Sequence, residues 1–200
     1  CDDMGWFFCS FYDLMNAHQQ RQPFTLKDSK GKTFGEIFVD ECKITHYPTF
    51  VDFLRGGLQI NLAVSIDFTG SNGHPSDSRS LHFMDPAQPN QYVRAIMSVG
   101  DVLMAYDTDK MIPAFGFGAT DPAIGPQPTH FFHLNRQPNP YVQGIQGLLD
   151  SYGEALRHFQ LAGPTNFAAT IQGVRQLAES SPNTYTILLI ITDGEITDMQ

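Results

Sequence analysis

From Ile60 onward the chain alternates between two hydrophobic rhythms. Apolar runs of strand length, Ile60 to Ile66, Met111 to Phe117 and Thr186 to Ile191, are separated by amphipathic stretches of helical length, Gln91 to Tyr106, Gln143 to Phe159 and Asn166 to Ser180. A strand that is apolar throughout is buried on both faces, and a helix with one apolar stripe packs on only one side. The alternation therefore predicts βα units around a largely parallel sheet, an open α/β fold flanked by helices. A further short strand near His130 to Leu134 is expected at an edge.

The earlier part is patterned differently. An aromatic cluster, Gly5-Trp6-Phe7-Phe8-Cys9-Ser10-Phe11, precedes a Gln-rich polar stretch from Asn16 to Lys32. In Thr33 to His46, Phe34, Glu36, Phe38, Asp40 and Cys42 share one face, an imperfect strand alternation after a turn at Lys30-Gly31-Lys32. This reads as the end of a β-rich domain, with Trp6 and the early Phe residues in its core. Residues 47–58, with Pro48 and Gly56-Gly57, break the pattern and read as a linker.

Composition narrows the class. With 42% apolar and 16% charged residues in 200, the chain can bury a core and is not a disordered polymer. No apolar run approaches the roughly 18 residues of a membrane-spanning helix. Residues 1–58 carry six basic and eight acidic side chains, and residues 59–200 carry six basic and thirteen acidic ones. An acidic α/β part suits cations and disfavours nucleic acid. Cys1, Cys9 and Cys42 are odd in number and lack zinc-ligand spacing, which implies reduced thiols and a cytosolic setting.

The chemistry concentrates after the strands. Asp67-Phe68-Thr69-Gly70-Ser71-Asn72-Gly73 directly follows the first apolar run, and Thr192-Asp193-Gly194 follows the last. Loops at the carboxyl ends of parallel strands form the binding crevice of an open α/β sheet. Asp67, Thr69 and Ser71, two residues apart, converge there if the loop curls back, which Gly70 and Gly73 permit. Thr165 precedes a helix, and its hydroxyl either caps that helix or reaches into the same crevice. Two carboxylates and three hydroxyls are hard oxygen ligands that suit Mg²⁺ or Mn²⁺. A single Asp at such a place often only closes a turn, so the pattern across three loops carries the reading.

Other clusters carry less. Asp107-Thr108-Asp109-Lys110 falls at the opposite end of the sheet and reads as a solvated turn. His130 and His133 sit on opposite faces of a short strand beside Phe131-Phe132 and read as structural. Phe115-Gly116-Phe117-Gly118 reads as a closely packed strand, not a dinucleotide loop, and neither a phosphate loop nor a nucleophile elbow occurs.

Asp67-Phe68-Thr69-Gly70-Ser71-Asn72-Gly73, Pro113-Ala114-Phe115-Gly116-Phe117-Gly118-Ala119, Gly144-Ile145-Gln146-Gly147, Gly163-Pro164-Thr165-Asn166 and Thr192-Asp193-Gly194, in this order, closely resemble the copines. The resemblance covers essentially the whole chain. It implies residues 1–46 as the last strands of a calcium-dependent phospholipid-binding β-sandwich (a C-two domain), and residues 59–200 as most of a von Willebrand factor A-like domain, with both domains cut. It also implies a metal-ion-dependent adhesion site with Asp67, Thr69, Ser71, Thr165 and Asp193 as ligands, Thr69 standing where Ser is usual. Asp2 matches the last acidic residue of a calcium-binding loop in the sandwich.

On this resemblance the expected function is that of a non-enzymatic adaptor. Ca²⁺ recruits the full-length protein from the cytoplasm to anionic phospholipid at the plasma membrane, and the A-like domain holds an intracellular partner protein whose Asp or Glu completes a Mg²⁺ or Mn²⁺ shell. Two other classes remain open: a Mg²⁺-dependent phosphohydrolase, which also places Asp after its first strand, and a structural interaction module with a vestigial metal site.

Overall fold

In the computed structural model, which describes residues 6–103, 107, 109–194 and 196–198, the chain divides into two units, Cys1–Thr49 and Phe50–Gln200. In the first, helix α1 (Phe11–Gln20) begins at a reciprocal cap. Ser10 Oγ accepts the Asp13 N–H at 3.1 Å, and Asp13 Oδ2 accepts the Ser10 N–H at 2.8 Å, which satisfies donors that the helix leaves orphaned. The helix closes at Arg21, whose φ of 50° ends the α geometry. This helix occupies the start of the polar stretch, where no element was expected, because a cap acts through local hydrogen bonds and needs no apolar stripe.

Strands β1 (Phe24–Lys27) and β2 (Thr33–Ile37) form an antiparallel hairpin. Its turn is held by Asp28 Oδ1, which accepts the Lys30 and Lys32 N–H groups at 2.8 and 2.9 Å. The predicted turn is therefore present, but β2 stops at Ile37, well short of His46. Trp6, Phe8 and Phe11 are 54%, 90% and 61% exposed, so they are not the core residues that the sequence implied. One hairpin and one helix supply too little apolar area to cover them.

In the second unit, the expected linker region contains a short helix, α2 (Phe50–Arg55), closed by Gly56 and by Gly57 at a φ of +98°. Next come β3 (Gln59–Asp67), α3 (Gln91–Leu103), β4 (Met111–Phe117), β5 (Ala119–Thr120), β6 (Phe132–His133), β7 (Tyr141–Gln143), α4 (Gly144–His158), β8 (Gln160–Leu161), α5 (Ala168–Glu179) and β9 (Thr184–Ile191). The main sheet runs β6-β4-β3-β9, with β3 parallel to both β4 and β9. Its far edge is one interrupted antiparallel strand: β6 pairs the carboxyl half of β4 and β7 the amino half. Ala114 spans the interruption, accepting from Leu134 N and donating to Pro140 O. The strand expected near His130 to Leu134 thus lies at the edge, and β7 was not foreseen because three residues carry no period.

The central strand β3 separates two helical layers. Leu62, Val64 and Ile66 pack into the larger core with Tyr92 and Ile96 of α3 and Leu148 and Tyr152 of α4. Ala63 faces the other way, in a smaller core with Phe115 and Val174 of α5. Covering both faces is what permits β3 to be apolar without alternation. Gly116 and Gly173 make this packing possible, because a Cβ at either would collide with the ring of Phe132 or Phe131.

Candidate metal centre

The carboxyl ends of β3, β4 and β9 lie side by side, and the loops that leave them meet. Phe68 N donates to Phe117 O at 2.8 Å, and Ala162 N is shared between Phe68 O at 3.2 Å and Gly118 O at 3.0 Å. Gly70 N in turn donates to Ala162 O at 2.6 Å. The backbone at Ala162 therefore clamps the loops after β3 and β4 together. Beyond Asp67 the chain makes a single tight turn, Gly70–Asn72, and leaves it through Gly73 at a φ of +80°.

This curl brings the oxygens together. Asp67 is fully buried; its Oδ1 accepts the Thr69 N–H at 2.7 Å and its Oδ2 accepts the Thr192 hydroxyl at 2.5 Å. Thr69 Oγ1 lies 3.0 Å from Ser71 Oγ, and Ser71 Oγ donates to Asp193 Oδ1 at 3.1 Å. The two loops, 122 residues apart at Ser71 and Asp193, are thus joined through side chains. Asp67, Thr69 and Thr165 are buried, whereas Ser71 and Asp193 are exposed. The arrangement is a crevice with a buried floor and an open rim.

Thr165 had two open roles, and α5 is capped by another residue. Asp198 accepts the Phe167 and Ala168 N–H groups at 3.0 and 2.7 Å, filling the place that Thr165 would need to cap the helix. Thr165 Oγ1 instead lies beside Gly194, 3.1 Å from where a Cβ on that glycine would stand. Its carbonyl accepts from the backbone N–H and the hydroxyl of Thr197, at 3.0 and 2.8 Å. Hydrogen bonds thus tie Ser71 to both Thr69 and Asp193 and Asp67 to Thr69, and Thr165 stands beside Gly194, the residue after Asp193. Asp2 lies outside the described residues.

Thr69 fits because of Gly118. A Cβ on Gly118 would collide with Thr69 Cγ2, and Gly118 has a φ of +77° that L side chains rarely adopt. The extra methyl that distinguishes Thr from Ser at this position thus occupies room left by a glycine on the neighbouring loop.

Beneath the crevice lies a buried polar cluster. Asn72 Nδ2 donates to Thr69 O at 3.1 Å and to Thr69 Oγ1 at 3.4 Å, and Tyr92 Oη donates to Asn72 Oδ1 at 2.6 Å. Ser80 Oγ donates to the carbonyls of Asn72 and Gly73, at 3.0 and 2.8 Å, which folds the following segment back on the turn. His82 is fully buried, stacks on Tyr92 with ring centroids 4.4 Å apart, and places Nδ1 2.7 Å from Tyr152 Oη. Burial lowers its pKa to about 4, against the opposing pull of the Asp67 carbonyl and the Asp193 charge, so the ring is neutral. Burial, followed by the charges of Asp67 and Asp193, raises the Tyr92 pKa, which keeps the phenol protonated.

Two carboxylates and three hydroxyls, with no nitrogen or sulfur among them, are the kind of oxygens that would suit a hard divalent cation. Among the described residues no group of three or more His, Cys, Asp or Glu side chains is placed to hold a metal, so the charge at this site rests on Asp67 and Asp193. None of the ion pairs formed among the described residues, Arg79–Asp77, His158–Asp121 and Arg175–Glu179, involves one of the five.

Asp107 corrects one expectation. It is 4% exposed, accepts from the Leu62 and Lys110 N–H groups, and has its pKa raised by burial; it buttresses the foot of β3 and is not a solvated turn residue. His133 Nδ1 lies 2.7 Å from Gln137 O, a structural role, as expected.

Sequence reasoning missed Thr192, Asn72, Tyr92 and Gly118. Thr192, Asn72 and Gly118 sit inside the motifs named above, where a hydroxyl or an amide next to a ligand is a usable signal and a glycine marks only close packing; Tyr92 has no signal, since its role depends on how α3 docks. Compared with known families, residues 80–200 match the copine family model. The matched segment contains Tyr92, Gly118, Thr165 and Asp193 and begins after the Asp67 to Gly73 loop.

Proposed function

The chain belongs to the copine family, and from that premise we propose that its second unit holds partner proteins through a divalent-cation site formed by Asp67, Thr69, Ser71, Thr165 and Asp193. Membership carries a membrane-associated, calcium-dependent adaptor role in general, with proteins and phospholipid as the classes of partner. Among the described residues no helix is long and apolar enough to cross a membrane. In this reading the cytoplasmic protein reaches the plasma membrane through Ca²⁺-dependent binding of anionic phospholipid, and the α/β unit is the part that presents cargo. It is a binding function, not an enzymatic one.

The observation that carries the reading is the junction of the loops: Ser71 donating to Asp193 across the crevice while Asp67 is held by Thr69 and Thr192. Asp67 and Asp193 supply negative charge, and Thr69, Ser71 and Thr165 supply neutral oxygens. Mg²⁺ or Mn²⁺ bound there offers a positive anchor for a carboxylate from outside. The exposed rim at Ser71 and Asp193 leaves a side from which a partner's Asp or Glu can approach. Attraction between a cation and a carboxylate is strengthened where protein displaces water.

Calorimetric titration of Mn²⁺ and Mg²⁺ into the intact protein, beside Asp193→Ala, tests the reading. Saturable binding that the substitution abolishes is expected, together with partner capture that a chelator reverses. No binding in the unaltered protein would reduce the unit to a structural interaction module. Turnover of a phosphate ester, lost in Asp67→Asn, would make it a phosphohydrolase instead.

A further inference from the structure

The hydrogen bonds beneath the crevice have only one consistent direction. A carboxylate accepts and cannot donate, so the 3.1 Å contact between Ser71 Oγ and Asp193 Oδ1 uses the Ser71 proton. In the 3.0 Å contact between Thr69 Oγ1 and Ser71 Oγ the proton must then belong to Thr69. Thr69 Oγ1, its own proton committed, can only accept from Asn72 Nδ2. The Thr69 carbonyl can only accept, so it fixes Nδ2 on its side at 3.1 Å and leaves Oδ1 facing the Tyr92 hydroxyl, which therefore donates to it at 2.6 Å. Protons thus run one way, from Tyr92 through Asn72, Thr69 and Ser71 to Asp193.

Each link is confined. Asn72, Tyr92 and Thr69 are 2%, 3% and 3% exposed, so water does not readily replace a missing partner. Asn72 Nδ2 also holds the Thr69 carbonyl at 3.1 Å, which ties the amide to the backbone of the turn as well as to the hydroxyl. Tyr92 comes from α3, an element that contributes no ligand to the crevice. Its ring is fixed by stacking on His82.

We propose that Tyr92 and Asn72 are positioning residues for the cation site, setting through one amide the direction in which the Thr69 and Ser71 hydroxyls present their lone pairs. The proposal rests on the cation reading of the five oxygens. Because Asn72 N–H engages one lone pair of Thr69 Oγ1, the other stays free for a cation, and the proton of that hydroxyl points along the turn instead of into the site. Without the Tyr92 hydroxyl the buried Oδ1 loses that donor, and the amide is free to swing away from Thr69 Oγ1, which releases the hydroxyl from its fixed direction. Groups that orient metal ligands without touching the metal typically alter affinity 10–100-fold when changed.

The test is Mn²⁺ affinity of the intact protein, read from the electron paramagnetic resonance of free Mn²⁺, in three variants. Tyr92→Phe removes one hydroxyl and is expected to weaken binding about tenfold or more. Tyr141→Phe removes a partly buried hydroxyl from β7, on the far edge of the sheet and outside the chain of donors, and is expected to leave affinity within about twofold, since it touches no ligand. Asn72→Asp keeps the shape and the acceptor for Tyr92 but cannot donate to Thr69; weaker binding is expected despite the added negative charge, which by attraction alone would tighten it. In the metal-free protein, the nuclear Overhauser contact between the Asn72 amide protons and Thr69 should fade in Tyr92→Phe. No Mn²⁺ binding by the unaltered protein would overturn the cation reading and this proposal with it. Binding by the unaltered protein with equal affinity in Tyr92→Phe, or with higher affinity in Asn72→Asp, would overturn the positioning role alone.

Discussion

Gly118→Ala separates backbone strain from steric conflict at the candidate site. Gly118 has a φ of +77°, and a Cβ there would collide with Thr69 Cγ2 and stand 3.4 Å from Thr69 N. Holding an L residue in a left-handed conformation costs about 1–2 kcal/mol, and overpacking a buried contact adds about 1–3 kcal/mol. The substitution should therefore destabilise the α/β unit by about 2–5 kcal/mol from these two sources. Thr69→Ser removes the methyl that is struck, and alone should cost about 1 kcal/mol for the lost apolar contact. In the double variant the steric part disappears while the strain remains, so the two changes should couple favourably by about 1–3 kcal/mol. Equilibrium urea denaturation measures all four corners of the cycle. Far-UV ellipticity, dominated by α3, α4 and α5, is the appropriate signal, because the single Trp, Trp6, lies in the other unit. A cost for Gly118→Ala that is the same with Thr69 and with Ser at position 69 would refute the steric argument.

His82 predicts the acid limb of stability. Its folded pKa is about 4 against an ordinary 6.5, so the unfolded chain binds the proton more readily; stability is fully present above about pH 6.5 and falls as pH drops towards 4, by about 3 kcal/mol in total. The midpoint of urea unfolding, followed across this window, should lose that slope in His82→Gln, and an unchanged slope would assign it elsewhere. Asp198→Ala removes the acceptor for the Phe167 and Ala168 N–H groups and should cost about 1 kcal/mol, with faster hydrogen exchange confined to the first turn of α5. Those same N–H groups hold the Asp198 carboxyl below its usual pKa, so the benefit is present above the ordinary carboxylate range and is lost as acid protonates it; equal exchange in both proteins at neutral pH would remove Asp198 as the cap.

Much of the α/β unit was legible because its signals are local. The apolar runs at Ile60, Met111 and Thr186 became β3, β4 and β9, since a strand covered on both faces must be apolar without alternation, and the intervening 3.6-residue periods became α3, α4 and α5. Short elements escaped: α1 depends on the Ser10–Asp13 cap, and β5, β7 and β8 have two or three residues each and exist only through their partners. The positions of Asp67, Thr69, Ser71 and Asp193 after strands were likewise readable, because the carboxyl ends of parallel strands share one edge whatever the strand order.

What the sequence determined by itself was the list of oxygens and the edge of the sheet on which they stand. Tertiary structure alone decided that Asp198 and not Thr165 caps α5, that Gly118 makes room for the Thr69 methyl, and that Tyr92 of α3 donates to the Asn72 amide. The physical reason is range. Periodicity and motif spacing report what neighbouring residues do to one another, whereas a hydrogen bond from Ser71 to Asp193 or from Phe167 to Asp198 joins residues 122 and 31 positions apart. Such bonds form only after β3, β4, β9 and the helices have packed, and they select among side chains that the sequence alone leaves equivalent.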